Sequence, residues 1–411
     1  MKIAFVIEYF FPFDKGGSQW STYYLAKQLV EKGHDITILT PNFGSKEFEI
    51  VHGIKILRYP FYKKTKNFEY VPGHFFFTNP LFMIWSAFFL FFYIKKEKPQ
   101  IIHIQGKYSI PPVWFANLFL GLPIITTIRD YLVICNYGIC LMKKSKSCSL
   151  IEYYTSDFKS YYEQYVLNRN VVSYLINILM SIWGRISTKL LKSFSKGLRV
   201  IVLSEIQKEI FLENGFKKVD VIYNSFEFSN KGASKKENII TYAGRLTPGK
   251  GVNLILDTIP YLLKLHPAFT LIFAGDGFLR KKLVTLSRKY KQIKILGNIA
   301  HGELIRLMAK SKIVLSPSIW PEPFGRIALE AIANNTPVVI GIRSGLLQEI
   351  VPRFGVACEP NSQSLLSSIN KIISKNDQYR KQIGKDYSKI KKKFGIEVTE
   401  KYLQVYKETL G

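Results

Sequence analysis

Short apolar runs alternate with longer stretches of helical periodicity along most of this chain. In the first half, Lys2–Tyr9, Asp35–Thr40, Ile54–Tyr59, Ile101–Ile104, Pro123–Ile128, Val200–Leu203 and Val219–Tyr223 read as strands, and Ser18–Lys32 reads as a helix. These runs are apolar almost throughout, so the strands are predicted to be buried on both faces, in a parallel sheet covered by helices. The second half repeats the pattern with Ile239–Ala243, Phe269–Ala274, Ile293–Leu296, Ile313–Leu315 and Pro337–Ile340. Between the halves, Asn224–Asn238 is polar, contains Gly and Ser, and is predicted to be a linker. The expected fold is therefore α/β, with two Rossmann-like, doubly wound domains, residues 1–224 and 238–394, facing a cleft. Ligands of such sheets bind at the carboxyl ends of the strands. The last amphipathic stretch, Val398–Leu410, is expected to form a closing helix, with residues 395–411 returning to the first domain.

Two segments break the alternation. Phe75–Ile94 is apolar for about the length of a membrane span. Asn79-Pro80 cuts it, however, and the remaining Leu81–Ile94 suits a buried or interfacial helix better than a crossing one. Lys95, Lys96 and Lys98 follow at once, as expected where a helix meets anionic headgroups. Lys63, Lys64 and Lys66 precede it, and a second basic, aromatic stretch runs from Tyr153 to Lys196. At this level the interfacial, buried and spanning readings all stay open.

Composition sharpens the choice of partners. There are 58 Lys and Arg against 30 Asp and Glu, a formal charge of +28, which favours polyanionic partners: nucleic acid, anionic lipid or phosphorylated substrates. No nucleic-acid module is recognisable, so no nucleic-acid partner is expected. Met1–Glu8 resembles a short signal peptide, but Glu8 interrupts the apolar run early; a buried strand and a cytoplasmic location are expected. Cys135, Cys140 and Cys148 cluster and Cys358 stands apart. No fourth ligand is apparent near the cluster, so reduced thiols are expected there and no metal.

Two segments carry chemistry. In Tyr242–Gly251 a strand ends at Gly244 and a helix begins near Lys250, so Arg245 and Lys250 would face the cleft beside helix-terminal N–H groups, as a diphosphate site requires. In Trp320–Ala331, Pro321 and Pro323 hold Glu322 in a rigid loop. Gly325 permits close backbone approach, and Glu330 lies almost two turns into the following helix.

The spacing of Glu322 and Glu330 resembles the E-x7-E motif of family 4 of the retaining GT-B glycosyltransferases. The resemblance extends to Gly244-Arg245 with Lys250-Gly251, Ala274–Gly277, Thr336–Val339, Gly345–Val351 and the Gly16-Gly17 loop. It implies metal-independent sugar transfer from a nucleotide sugar. Arg245, Lys250 and Glu322 would be the catalytic groups. Gly16, Gly17, Gly244, Pro323, Phe324, Gly325 and Glu330 would hold the donor, with Glu330 on the ribose. No cofactor is implied. Departures from the pattern are Arg129-Asp130 in place of His-Asp, His103-Ile104-Gln105 in place of H-x-H, and Asn224-Ser225 in place of Asn-Gly. His103, Arg129 and Asp130 are thus candidates for sugar or acceptor contact. With the basic, aromatic N-terminal half, the expected acceptor is a lipid-linked glycan or glycolipid, met by an enzyme bound peripherally to the inner face of the cell membrane. A nucleotide-sugar epimerase of the same fold and a non-catalytic basic membrane- or nucleic-acid-binding protein are the alternatives.

Overall fold

Each half of the chain builds its own sheet from the short apolar runs. A computed structural model describes every residue except 14–16, 63–73, 143, 167–168, 227 and 229–234. Gly16, Lys63, Lys64, Lys66 and part of the polar stretch 224–238 therefore lie outside the described residues. The first sheet comprises β1 (Lys2–Val6), β2 (Asp35–Pro41), β3 (Phe48–Val51), β4 (Ile54–Tyr59), β5 (Ile101–Ile104), β6 (Ile124–Thr127), β7 (Arg199–Val202) and β8 (Val219–Val221), in the order β3-β4-β2-β1-β5-β6-β7-β8. All neighbours are parallel except β3, which pairs antiparallel with β4 at the edge. The second sheet comprises β9 (Glu237–Ala243), β10 (Thr270–Ala274), β11 (Ile293–Gly297), β12 (Ser311–Ser316), β13 (Val338–Gly341) and β14 (Gly355–Cys358), all parallel, in the order β11-β10-β9-β12-β13-β14. In each sheet the strand order reverses beside the first strand. β1 lies between β2 and β5, and β9 between β10 and β12. Crevices open at such switch points.

The helix Ile396–Leu410 lies on the first sheet. Its Val398, Tyr402, Val405 and Tyr406 pack in one cluster with Ile3, Phe5, Ile101, Ile125 and Ile201. His103, the third of the four residues of β5, is completely buried there. Its Nδ1 pairs with the Tyr406 hydroxyl at 2.7 Å and its Nε2 with Thr127 Oγ1 at 2.7 Å. Both ring nitrogens are thus satisfied inside the domain. His103 fastens the returning helix to the sheet and does not line the cleft, in place of the sugar or acceptor contact anticipated for it.

The apolar segment of the N-terminal half forms a helix over Pro80–Glu97, started by the Asn79 side chain, which accepts from Leu81 N, and by Pro at the first position. It buries only Phe82, Ser86, Leu90 and Ile94, one residue per turn. Leu81, Ile84, Trp85, Phe88 and Phe92 face outward. The longer helix Val171–Lys196 is arranged in reverse of a soluble amphipathic helix. Its buried positions are Ser181, Gly184, Ser187, Thr188, Leu191 and Ser195, mostly small or polar. Its exposed positions include Val171, Val172, Leu175, Ile176, Leu179, Ile182, Ile186 and Leu190. The same helix is long and apolar enough to cross a membrane. The two helices are joined through Ile110–Asn117 and the turn after it: Phe91 meets Phe119, and Trp114 and Phe115 meet Phe194.

Burial holds two histidines of this domain in the neutral form. His74 is lowered to about 4 by desolvation, reinforced by Lys107. His103 is held well below its ordinary value by desolvation, with Arg129 adding to it. The unfolded chain takes up a proton at each of these positions below about pH 6.5 while the folded chain does not, so stability is full above that pH and falls as pH drops. Each histidine contributes a slope of up to about 1.4 kcal/mol per pH unit, ending near pH 4 for His74. Urea unfolding at pH 7, 6 and 5 checks this. H74Q should be less stable at pH 7 but lose less on acidification than the wild type.

Candidate active site

The carboxyl ends of β9 and β12 face those of β5 and β6 across the cleft. Between them lies a cavity of about 410 Å³ whose walls include Arg129, Asp130, Tyr137, Arg245, Lys250 and Glu322. The structure thus brings the anticipated cations and carboxylate of the second domain together with the Arg-Asp pair of the first.

After β9 the chain turns sharply at Gly244. This turn is backed by Gly275 (φ +139°), where a β-carbon would lie 2.0 Å from the Gly244 carbonyl oxygen. Only glycine fits so close a backbone crossing. Arg245 then projects into the cleft, exposed and without an ion-pair partner among the described residues. Lys250 is ion-paired through Nζ with Glu322 Oε2. The loops that carry them are stitched together: Gly249 O accepts from the amides of Ile319 and Trp320, each at 3.1 Å, and from Ser318 Oγ at 3.1 Å. Glu322 N donates to Arg343 O at 3.0 Å and Glu322 O accepts from Gly345 N at 2.7 Å.

Gly325 is left-handed (φ +80°) and opens the helix Arg326–Ala333. The side chain of Phe324 is buried against Tyr223 and Phe394, so this residue offers the cleft its backbone, not its ring. Gly17 sits opposite: a β-carbon there would be 4.0 Å from Arg326 Cδ, which brings the first loop against the start of this helix. Glu330 is nearly buried. Its Oε1 accepts from Arg326 Nε at 2.8 Å and pairs with His301 Nε2 at 3.0 Å, while Oε2 has no partner. Burial opposes its ionisation, but the hydrogen bond from His301 and the charge of Arg326 outweigh it, and the carboxyl lies below its ordinary range. The result is a buried carboxylate with one oxygen free to accept from a hydroxyl donor.

The first domain contributes differently. Arg129 donates to Gln105 O (2.6 Å), Gln105 Oε1 (2.5 Å) and Asn224 Oδ1 (3.2 Å), so its guanidinium ties the end of β5 to the start of the stretch between the two sheets. Asp130 is ion-paired with Lys107. Lys107 also faces the buried Glu8, whose carboxyl is raised by desolvation against the opposing charge of Lys107. Several groups have little or no signal in the sequence. Arg326 stands four residues before Glu330, a helical-neighbour spacing that could have marked it. His301 has no such signal. Nor does Trp320, packed where a β-carbon on Gly138 would meet it at 2.0 Å, nor Tyr161 and Tyr165, which line the cavity one helical turn apart. The cysteine cluster requires a correction: the fourth group is present, as Asp157. One ligand atom from each of Cys135, Cys140, Cys148 and Asp157 falls within 4.8 Å of all the others, and all four residues are buried.

Comparison with known proteins adds the family. Residues 15–229 match the family model described as Glycosyltransferase Family 4, and residues 224–389 match Glycosyl transferases group 1. An uncharacterised glycosyltransferase of Methanocaldococcus jannaschii is 25% identical over 91% of this chain and 89% of its own length. The phosphatidylinositol N-acetylglucosaminyltransferase GPI3 subunit of Saccharomyces cerevisiae is 23% identical over 90% of this chain and 75% of its own. Among solved structures, Anabaena HepE in complex with UDP-glucose superposes with a TM-score of 0.66, at 17% identity, over 99% of this chain and all of that one. The architecture is that of the two-domain GT-B glycosyltransferases.

The Arg245 side chain has no ion-pair partner among the described residues, so R245A should keep the wild-type melting temperature while losing affinity for a nucleoside diphosphate. One charge-assisted contact, about 1.5–3 kcal/mol, corresponds to roughly a 10–150-fold rise in Kd. Calorimetric titration with UDP, GDP and ADP checks it. Unchanged affinity for whichever nucleotide binds the wild type would remove Arg245 from the site.

Proposed function

The chain belongs to glycosyltransferase family 4, and from that membership we propose that it moves a sugar from a nucleotide-sugar donor, with retention and without a metal ion at the reacting centre, to a lipid-linked glycan or glycolipid at a membrane surface. The observation that carries the donor half is the pairing of two cleft cations, Arg245 and Lys250, with an ionised, half-satisfied carboxylate, Glu330. HepE, which shares the fold, binds UDP-glucose. In this reading Arg245 and Lys250 neutralise the diphosphate and the start of the helix Arg326–Ala333 supplies N–H groups. The free oxygen of Glu330 takes a ribose hydroxyl, and Glu322, released from Lys250 by the incoming phosphate, takes hydroxyls of the sugar. The anomeric C–O bond to the diphosphate breaks as the acceptor oxygen bonds on the same face, and the acceptor proton passes to the departing phosphate oxygen. Two cations and a helix terminus then do the electrostatic work a divalent ion does in other transferases.

The acceptor half rests on the outer face of the first domain. A helix in water turns its apolar side inward. Val171–Lys196 turns Ser, Gly and Thr inward and Val, Leu and Ile outward, and Pro80–Glu97 adds Leu81, Ile84, Trp85, Phe88 and Phe92 beside it. So large an apolar surface on a chain of charge +28 fits an anionic bilayer. Likeness to the phosphatidylinositol N-acetylglucosaminyltransferase GPI3 subunit, whose name gives a lipid as acceptor, supports a lipid-borne acceptor.

Two outcomes test the reading. Thermal shift with UDP, GDP, ADP and their sugars should pick out one donor, since a ligand of the folded state raises the melting temperature. Turnover of that donor should persist in EDTA. Loss of turnover that added Mg²⁺ or Mn²⁺ restores would overturn the metal-free centre.

Flotation with vesicles decides the membrane claim. The wild type should float with anionic vesicles and less so as salt rises. Replacing Lys95, Lys96 and Lys98 by Glu should weaken it by about 1 kcal/mol for each residue that reaches the surface. Equal behaviour with neutral and anionic vesicles, or no flotation, leaves a soluble acceptor.

A further inference from the structure

Outside the reacting groups, the strongest concentration of unassigned chemistry is the buried cluster formed by Cys135, Cys140, Cys148 and Asp157. We propose that these four residues bind one Zn²⁺ ion that braces the cleft loop of the first domain.

The geometry carries the proposal. Zinc–thiolate bonds of about 2.3 Å at tetrahedral angles place sulfurs about 3.8 Å apart, and a carboxylate oxygen about 3.5 Å from each sulfur. Cys140 Sγ and Cys135 Sγ are 3.6 Å apart, and Cys135 Sγ is 3.2 Å from Asp157 Oδ2. All four ligand atoms fall within 4.8 Å of one another, so one ion reaches them all. An iron–sulfur cluster needs its ligands farther apart than this. The spacing C-x4-C within the loop is also usual for zinc. The chemistry agrees. Asp157 Oδ1 is buried without a partner, and a carboxylate among three thiols has no compensating charge of its own. A dication would stabilise the ionised form of all four groups together. An outer contact suited to a thiolate is in place: Gly138 N donates to Cys135 Sγ at 3.2 Å.

The position gives the ion a purpose. Asn136, Tyr137 and Ile139, between the first two cysteines, line the catalytic cavity, as does Met142. Leu141 O accepts from Arg343 Nη1 of the second domain at 2.6 Å, and Gly138 lies under Trp320. Among the described residues 136–142 there is no regular element longer than a three-residue 3-10 turn. Zinc would fix the loop that forms one wall of the site. It binds outside the cavity and touches no reacting group, so turnover in EDTA is read alongside the metal content of the same sample.

Metal content tests the proposal. The full chain, purified without chelator or metal-affinity resin, should carry about one zinc per molecule by mass spectrometry of the elements. C358S, outside the cluster, should keep it. D157A retains three thiolates and should hold zinc more weakly, losing it on dialysis that leaves the wild type loaded. C148S should behave likewise with a lowered melting temperature. Should a cysteine variant fail to fold, mercurial titration of the wild type should release the same single zinc. Protein stripped and refilled with Co²⁺ should show the strong visible bands of a tetrahedral thiolate site. Metal-free wild type that takes up neither Zn²⁺ nor Co²⁺, or a Cys135–Cys140 disulfide in the native protein, would overturn the proposal.

Discussion

The cleft depends on the ion pair between Lys250 and Glu322, because it joins the two loops that must present opposite charges to one ligand. Lys250 follows β9 and Glu322 follows β12, neighbouring strands of one sheet. The first carries only the short 3-10 turn Pro248–Lys250, and the loops are held in place by their neighbours: the carbonyl of Gly249 receives two amides and a hydroxyl from residues 318–320, and Glu322 is bridged to Arg343 and Gly345. The backbones of the two loops are thereby set before any ligand arrives, and the ion pair keeps both charged groups at the cleft until a ligand exchanges for it. Arg245 lies outside this arrangement and stays exposed. Among the described residues one cation is thus anchored and one has no ion-pair partner; on the proposed reading, the second follows a diphosphate whose charge grows as the glycosidic bond breaks.

The two domains meet this requirement by different means. The second keeps its apolar surface inside and directs its polar groups to the cleft. The first leaves a broad apolar face outward and uses polar groups as internal fasteners: His103 with Tyr406 and Thr127, and Arg129 with Gln105 and Asn224. In water alone that outward face would be a liability for aggregation. On the proposed reading a bilayer covers it.

The fold was readable from the chain because continuous apolar runs leave few alternatives to a covered parallel sheet, and all but two of the strands fall on such runs. The exceptions are instructive. β3 is an exposed edge strand, with Phe48 and Ile50 facing outward, so its pattern carries no burial signal. β14 begins at Gly355 and holds only four residues. In the site, Arg245, Lys250, Glu322 and Glu330 could be found because each sits at a strand end or on a helix whose start is marked by Pro or Gly. His301 and Asp157 could not. His301 reaches Glu330 from a different helix, 29 residues away. Asp157 follows Cys148 by nine residues, and only the wide turn of the π-helical stretch Tyr153–Phe158 brings its carboxylate back to the cysteines. The expectation for His103 failed for a related reason: a histidine at a strand end looks the same in sequence whether the strand ends in a cleft or beneath a helix from the far end of the chain.

The segment from Cys135 to Lys196 connects these themes. It begins in the first wall of the cavity, passes Asp157, and continues into the helix Lys159–Tyr165, whose Tyr161 and Tyr165 line the same cavity. Tyr137 stacks on Tyr161 at 4.3 Å and Tyr161 on Tyr165 at 5.6 Å, so loop and helix form one aromatic wall. After Asn170 the chain enters the outward-apolar helix Val171–Lys196. Gly184 of that helix lies directly under Asn136 of the loop, where a β-carbon would be 2.4 Å from Asn136 Nδ2. Tyr153, from the turn that carries Asp157, donates its hydroxyl to the carbonyl of Ser181. The small residues on the inner face of the helix therefore let the cavity wall approach the helix backbone. On the proposed reading, a lipid-linked acceptor held at this face of the first domain meets the cleft across the wall that Asn136 and Tyr137 form. On the proposed reading, the inward Ser and Gly and the outward Val, Leu and Ile answer one requirement, since a thin wall between bilayer and cleft needs small residues on its inner side and apolar ones on its outer side.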